Sequence, residues 1–131
     1  MSETTPRLNC ALIVHLNQET ANDKKSAREG IHLLASIAHQ CELPISWALL
    51  PTLANSYKKE LTNYRTEFND DIVLAIDTNH LDKVDLNRAD QIVTSRNKLL
   101  THISKEKDRL QKVFPDGNLH TASTTGTINH I

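Results

Sequence analysis

The feature that most constrains this chain of 131 residues is a run of five consecutive aliphatic side chains, Ile72 to Ile76. Such a run is too short to suggest a helix, and it is typical of a strand buried on both faces of a parallel sheet. The run is followed directly by the polar residues Asp77-Thr-Asn-His80. Because α/β proteins usually place their chemistry just beyond a buried parallel strand, this segment predicts both a fold class and the edge where a site is expected.

Two further apolar runs, Ala11–Val14 and Ile45–Leu50, lie in segments predicted as the first and second strands. Apolar residues at three- and four-residue steps predict the helices between them. The predicted strands are 8–16, 45–50, 72–76 and a short one at 119–122, and the predicted helices are 22–41, 52–66 and 86–113.

Helices of more than ten residues between consecutive strands require parallel pairing through right-handed crossovers. The chain is therefore predicted to be a single α/β domain, 1–131, with the order β-α-β-α-β-α-β and a mostly parallel sheet. Two architectures fit this order, a three-layer fold and an incomplete barrel. Residues 1–7 are expected to form a loose leader, and residues 123–131 a tail that is flexible.

Composition narrows the classes of function. The formal net charge is −1 and aromatic residues make up only 4%, which argues against nucleic acid as a partner. The sequence contains no apolar run of the roughly 20 residues that a membrane span needs, and its start lacks the order of a signal peptide. Cys10 and Cys41 lie in apolar surroundings and are expected to be buried and reduced. These features predict a cytoplasmic, soluble protein without a membrane partner.

Polar side chains are expected to meet at the edge formed by the carboxyl ends of the strands. Two carboxylates and two imidazoles there suit zinc or another divalent metal, which would polarise a carbonyl group and acidify water. The alternative is that these residues are only solvated, because strand ends are polar in every α/β protein. The candidate metal ligands are Glu19, Asp77, His80 and His120, and the candidate ligand-binding residues are Asn17, Asn79 and Thr121.

The local motifs of well-known active sites are absent. The sequence has no GxGxxG, GxSxG, HExxH or CxxC segment, so catalytic residues remain unknown and enzymatic activity is not favoured. Trp47 is expected in the core, with an indole N–H that needs a partner. His32 and His39 share a helix face and are expected to be solvated or partly packed.

The segments Leu43-Pro-Ile-Ser-Trp-Ala-Leu-Leu-Pro51 and Asn69-Asp-Asp-Ile-Val-Leu-Ala-Ile-Asp77 resemble the early part of NodB-homology polysaccharide deacetylases. In that family the first strand ends in paired aspartates and the third in a His-x-x-x-His pair, which bind the metal and act as base. This chain has Val14-His-Leu-Asn-Gln-Glu19 and Asp77-Thr-Asn-His80 at these points. The resemblance covers about residues 8–80 and implies a shortened, degenerate (β/α) relative in which only His80 is carried over as a metal ligand.

The leading hypothesis is a non-enzymatic domain that acts through protein–protein contact or self-association. A helix over residues 86–113 would be roughly 40 Å long at 1.5 Å per residue, longer than a small sheet covers. Its apolar stripe would be unfavourable if left bare, and a protein partner or a second copy would cover it. The alternatives are a metal-dependent hydrolase related to carbohydrate deacetylases and a module that binds a small ligand, without a cofactor, at the strand ends.

Overall fold

The computed structural model describes residues 11–16, 24–77, 87–117, 119 and 122–125. These residues form four strands, three α-helices and one turn of 3₁₀-helix. In chain order they are β1 (Leu12–Leu16), α1 (Lys24–Gln40), β2 (Ile45–Leu49), the 3₁₀ turn (Pro51–Leu53), α2 (Ala54–Phe68), β3 (Asp71–Asp77), α3 (Ala89–Val113) and β4 (Ala122–Thr125).

The four strands form one sheet in the order β1-β2-β3-β4, and each neighbouring pair is parallel. Leu16 is level with Leu49, and Leu49 is level with Leu74, so the first three strands are aligned. Asp77 is level with Thr125. The predicted α/β class with a parallel sheet is therefore confirmed.

The three helices are neighbours in the same order as the strands. Arg28 of α1 is hydrogen-bonded to Glu60 and to the backbone oxygen of Ser56, both on α2. Arg65 of α2 lies 5.9 Å from the ring centre of Phe114, the residue that follows α3. Contacts between successive helices place all three in one layer, as the right-handed crossover rule requires for sequential strands.

The core lies between the sheet and the helices. Every residue from Ile72 to Ile76 is at most 5% exposed, which confirms a strand covered on both faces. Trp47 is fully buried, also as predicted. The predicted apolar stripes supply the helical side of the core, where the buried residues are Ile31, Ala35 and Ala38 of α1, Tyr57 and Leu61 of α2, and Leu110 of α3.

The position of the last strand and the exposure of one cysteine differ from the sequence prediction. The fourth strand is Ala122–Thr125 and not 119–122, so all of it but Ala122 lies where a flexible tail was expected. Threonine is β-branched and suits a strand, but a run of threonines has no aliphatic pattern to reveal it. Cys41 was expected to be buried and is exposed, in the turn after α1. The predicted leader, 1–7, lies outside the described residues.

Candidate functional site

Most of the side chains predicted to gather at the carboxyl edge of the sheet cannot be compared with the structure. Asp77 ends β3, opposite Thr125 of β4. Within the described ranges, no cluster of three or more potential metal ligands occurs, and the metal set stays a prediction. The predicted residues outside the described ranges are Asn17, Glu19, Asn79, His80, His120 and Thr121.

The observed fourth strand changes one premise of that site. His120 and Thr121 were predicted to follow the strand, but in the chain they precede its first residue, Ala122. Both residues lie outside the described ranges, so their position beside Asp77 at the carboxyl edge stays a prediction.

The structure instead brings together a polar network at the amino ends of the strands. Its centre is Asp70, which lies between α2 and β3 and whose side chain is fully buried. The carboxylate accepts a bond from the backbone N–H of Ile45 at 2.9 Å and from the indole N–H of Trp47 at 2.9 Å. The Nε2 atom of His39, on α1, lies 2.9 Å from each carboxylate oxygen and donates to this acceptor-only group.

This network joins α1, β2 and the α2–β3 connection through a single side chain. Helix α2 ends at Phe68, and Asn69 adopts a left-handed conformation (φ 60°, ψ 30°), which turns the chain so that Asp70 points inward. Among the described residues, every buried side-chain nitrogen and oxygen has a hydrogen-bond partner. A buried carboxylate with its acceptor sites used in this way holds structure together and has little capacity left for a ligand.

A shallow groove of about 320 Å³ lies beside the network, between α1 and α2. The ring of His39 stacks on Phe68 with 3.8 Å between ring centres, and the hydroxyl of Tyr64 lies 2.7 Å from Nδ1 of His32. Burial, and secondarily the negative charge of Asp70, raise the pKa of Tyr64. The phenol therefore stays protonated at neutral pH and remains a hydrogen-bond partner rather than a base.

His39 is partly packed, which is one of the two states predicted for it, and its side chain is only 6% exposed. The segment Asn69–Asp71 was interpreted only as a turn, and the role of Asp70 was missed. One signal pointed toward it, namely that a buried Trp47 needs an acceptor for its N–H. Nothing local in the sequence identifies that acceptor, since Asp70 lies 23 residues away.

The second notable surface is the first half of α3. At 25 residues, the helix is about 37 Å long, and Leu110 is its first buried residue. Between residues 89 and 98, all side chains are exposed except Gln91 and Ser95, which are half-buried. The predicted apolar stripe thus packs on the core only in the second half, where Ile103 and Val113 contact the buried cluster.

Three large apolar side chains are exposed in this first half. Ile92 is 39% exposed, Val93 55% and Leu100 52%. At 100° per residue, Ala89, Val93, Arg96 and Leu100 fall on one side of the helix, with Ile92 at its margin. We call these five residues the outer α3 patch. All five are exposed, and Arg96 lies at the middle of the set.

Comparisons with known proteins identify no relative: no protein-family model, no curated protein and no solved structure matches this chain. The resemblance to NodB-homology deacetylases accordingly stays a prediction. None of the described helices is long and apolar enough to cross a membrane.

Proposed function

We propose that this α/β domain acts through protein–protein contact and that the outer α3 patch is the contact surface. The observation that carries the proposal is the exposure of Ile92, Val93 and Leu100 on a helix whose second half is anchored in the core. Exposed apolar side chains grouped on one surface are a common mark of an interaction site. A preformed helix also loses less conformational entropy on binding than a disordered segment does.

The charges around the patch indicate what kind of partner fits. Arg96 lies at the centre of the patch and is exposed. In a symmetric antiparallel pairing of two copies centred on the patch, the two Arg96 side chains would lie within about one helical turn of each other. Like charges that close oppose association. A partner helix or segment with apolar anchors and a carboxylate avoids that repulsion and pairs with the guanidinium group. We therefore favour an acidic, apolar partner segment over self-association at this surface.

Two synthetic helical peptides would test the proposal. Both carry leucine at positions i, i+3, i+4 and i+7, as in helix recognition generally, and they differ only in flanking glutamate or lysine. We expect the glutamate peptide to bind at least about tenfold more tightly in fluorescence anisotropy, since one close charge pair is worth about 1.4 kcal/mol or more. Arg96→Glu should reverse the preference.

The control is Thr101→Glu, an exposed position on the opposite side of the same helix. This variant should leave both affinities unchanged, because Thr101 lies about 80° or more from each patch residue around the helix. Equal binding of the two peptides, or a preference that Arg96→Glu does not alter, would contradict the assignment of the patch.

A further inference from the structure

A second apolar surface lies at the other end of the helix layer, on the side of α1 that faces away from α2. His32, Ser36 and His39 line the groove shared with α2, so the opposite side of α1 is directed toward the β1 edge. On that side Leu33 is 65% exposed and Ile37 54%. Together with the exposed residues Gly30 and Cys41, they form what we call the α1 flank.

The α1 flank is uncharged, and one of its residues leaves empty space. A Cβ atom placed on Gly30 meets no atom within 4 Å. Glycine in a helix interior costs about 1 kcal/mol relative to alanine, and nothing inside the described part of the domain requires it here. Gly30 therefore leaves a notch on the helix surface, seven residues or about two turns before the exposed Ile37.

The notch at Gly30 and the projecting side chain of Ile37 are spaced so that two copies of α1 can fit together. When two copies of α1 pack antiparallel about a point between Leu33 and Leu34, Gly30 of one copy faces Ile37 of the other. The same operation places Leu33 against Leu34, which is itself half-buried. Each Ile37 then fills the notch above the opposite Gly30, twice in a symmetric interface. Because the flank carries no charge, no like charges meet.

The sheet supports the same pairing. Among the described strands, β1 is an edge, and Ile13 is 51% exposed on it. On the helix side of β1, Leu12 and Val14 are only half-buried although they contact the core. An edge strand of this kind is a template for pairing with another strand.

Strand pairing and helix pairing are compatible in one dimer. Crossover helices lie over the strands that they connect, and paired strands are about 4.8 Å apart. Joining β1 to β1 of a second copy would therefore place the two α1 helices about 10 Å apart, which is the usual distance between packed helices.

We infer that the chain forms a symmetric homodimer in which two β1 strands pair antiparallel and two α1 flanks pack, giving a continuous eight-stranded sheet. This inference does not depend on the proposed function, since α2 lies between α1 and α3 and the outer α3 patch remains free in the dimer.

Sedimentation equilibrium of the full chain tests the inference, and we expect the mass of a dimer. Gly30→Leu fills the notch and should give a monomer with an unchanged circular dichroism spectrum, because the new side chain enters open space in the single chain. When Gly30→Leu is combined with Ile37→Ala, the large side chain is at position 30 and the small one at position 37. This double variant should form the dimer again, because leucine at position 30 then packs in the space left at position 37 of the other copy. Lys59→Leu, which adds the same side chain at an exposed position of α2, should remain a dimer.

A wild-type monomer at all concentrations would overturn the inference. A Gly30→Leu variant that stays dimeric would overturn this interface, and so would a double variant that stays monomeric. Loss of the dimer in Arg96→Glu but not in Gly30→Leu would assign self-association to the outer α3 patch instead.

Discussion

At the scale of single residues, Asp70 has the largest structural role in the described part of the chain. Its carboxylate accepts bonds from the N–H groups of Ile45, Trp47 and His39. Each of these donors would otherwise be buried or nearly so without a partner, and leaving one unsatisfied costs about 1–3 kcal/mol. The stability of the domain therefore depends on this side chain more than on any surface ion pair, whose usual contribution is below about 1 kcal/mol.

We expect Asp70→Ala to lower the free energy of unfolding by about 3 kcal/mol or more, because it leaves the Trp47 and Ile45 donors and His39 without an acceptor. Urea denaturation followed by Trp47 fluorescence measures the loss. Asp108→Ala, at an exposed position of α3, is the matched control and should change stability by less than about 0.5 kcal/mol. A loss below about 1 kcal/mol for Asp70→Ala would show that the network does not hold these elements together.

The network also marks the limit of sequence-based reasoning at this scale. The burial of Trp47 follows from its aliphatic neighbours, and that inference was correct. Its acceptor could not be found, because Asp70 and His39 are 31 residues apart and belong to different elements. Their meeting depends on the left-handed conformation of Asn69 and on the packing of α1 against α2, and neither is encoded in a local pattern.

At the scale of elements, the quality of the prediction follows the strength of the hydrophobic signal. The aliphatic runs of β2 and β3 place these strands to within one residue, since continuous burial leaves no alternative position for them. The threonine-rich strand Ala122–Thr125 was misplaced, because its β propensity comes without an apolar pattern. The predicted extension of the last helix beyond the sheet agrees with the exposure of residues 89–98.

Helix α3 therefore has one half that packs on the core and one half that is exposed. We expect substitutions in the packed half to cost much more stability than substitutions in the exposed half. Leu110 is fully buried and Leu100 is 52% exposed. Leu110→Ala should cost about 3 kcal/mol through lost contacts and the cavity that it leaves, whereas Leu100→Ala should cost less than about 0.5 kcal/mol. Thermal or urea unfolding of the two variants measures both effects.

Amide hydrogen exchange along α3 gives an independent check. Exchange should be slow around Leu110, where opening requires disruption of the core, and much faster between residues 89 and 98, where local fraying suffices. Equal costs for the two substitutions, with uniform protection along the helix, would mean that the first half of α3 is packed against something in the monomer.

At the scale of the whole molecule, the sequence predicts the parallel sheet but not the arrangement of its layers. Helical crossovers of this length imply parallel strands with either strand order, sequential or doubly wound. Contacts between α1 and α2 and between α2 and α3 decide in favour of one helix layer. Helices α1 and α3 are the two outer helices of this layer, with α2 between them. Each outer helix has an exposed apolar surface, namely the α1 flank and the outer α3 patch.

The inferred dimer has a consequence for the stability of the whole molecule. Since dimerisation stabilises only the folded chain, the Tm of the wild-type protein should rise with protein concentration. The Tm of Gly30→Leu should not depend on concentration. At high dilution it should exceed the wild-type value by roughly 3 °C, because leucine is about 0.8 kcal/mol more favourable than glycine within a helix. Differential scanning calorimetry over a hundredfold range of concentration measures both trends. A wild-type Tm that is constant over this range would contradict the dimer, and a lower Tm for the variant at high dilution would show that the space beside Gly30 is needed within the monomer.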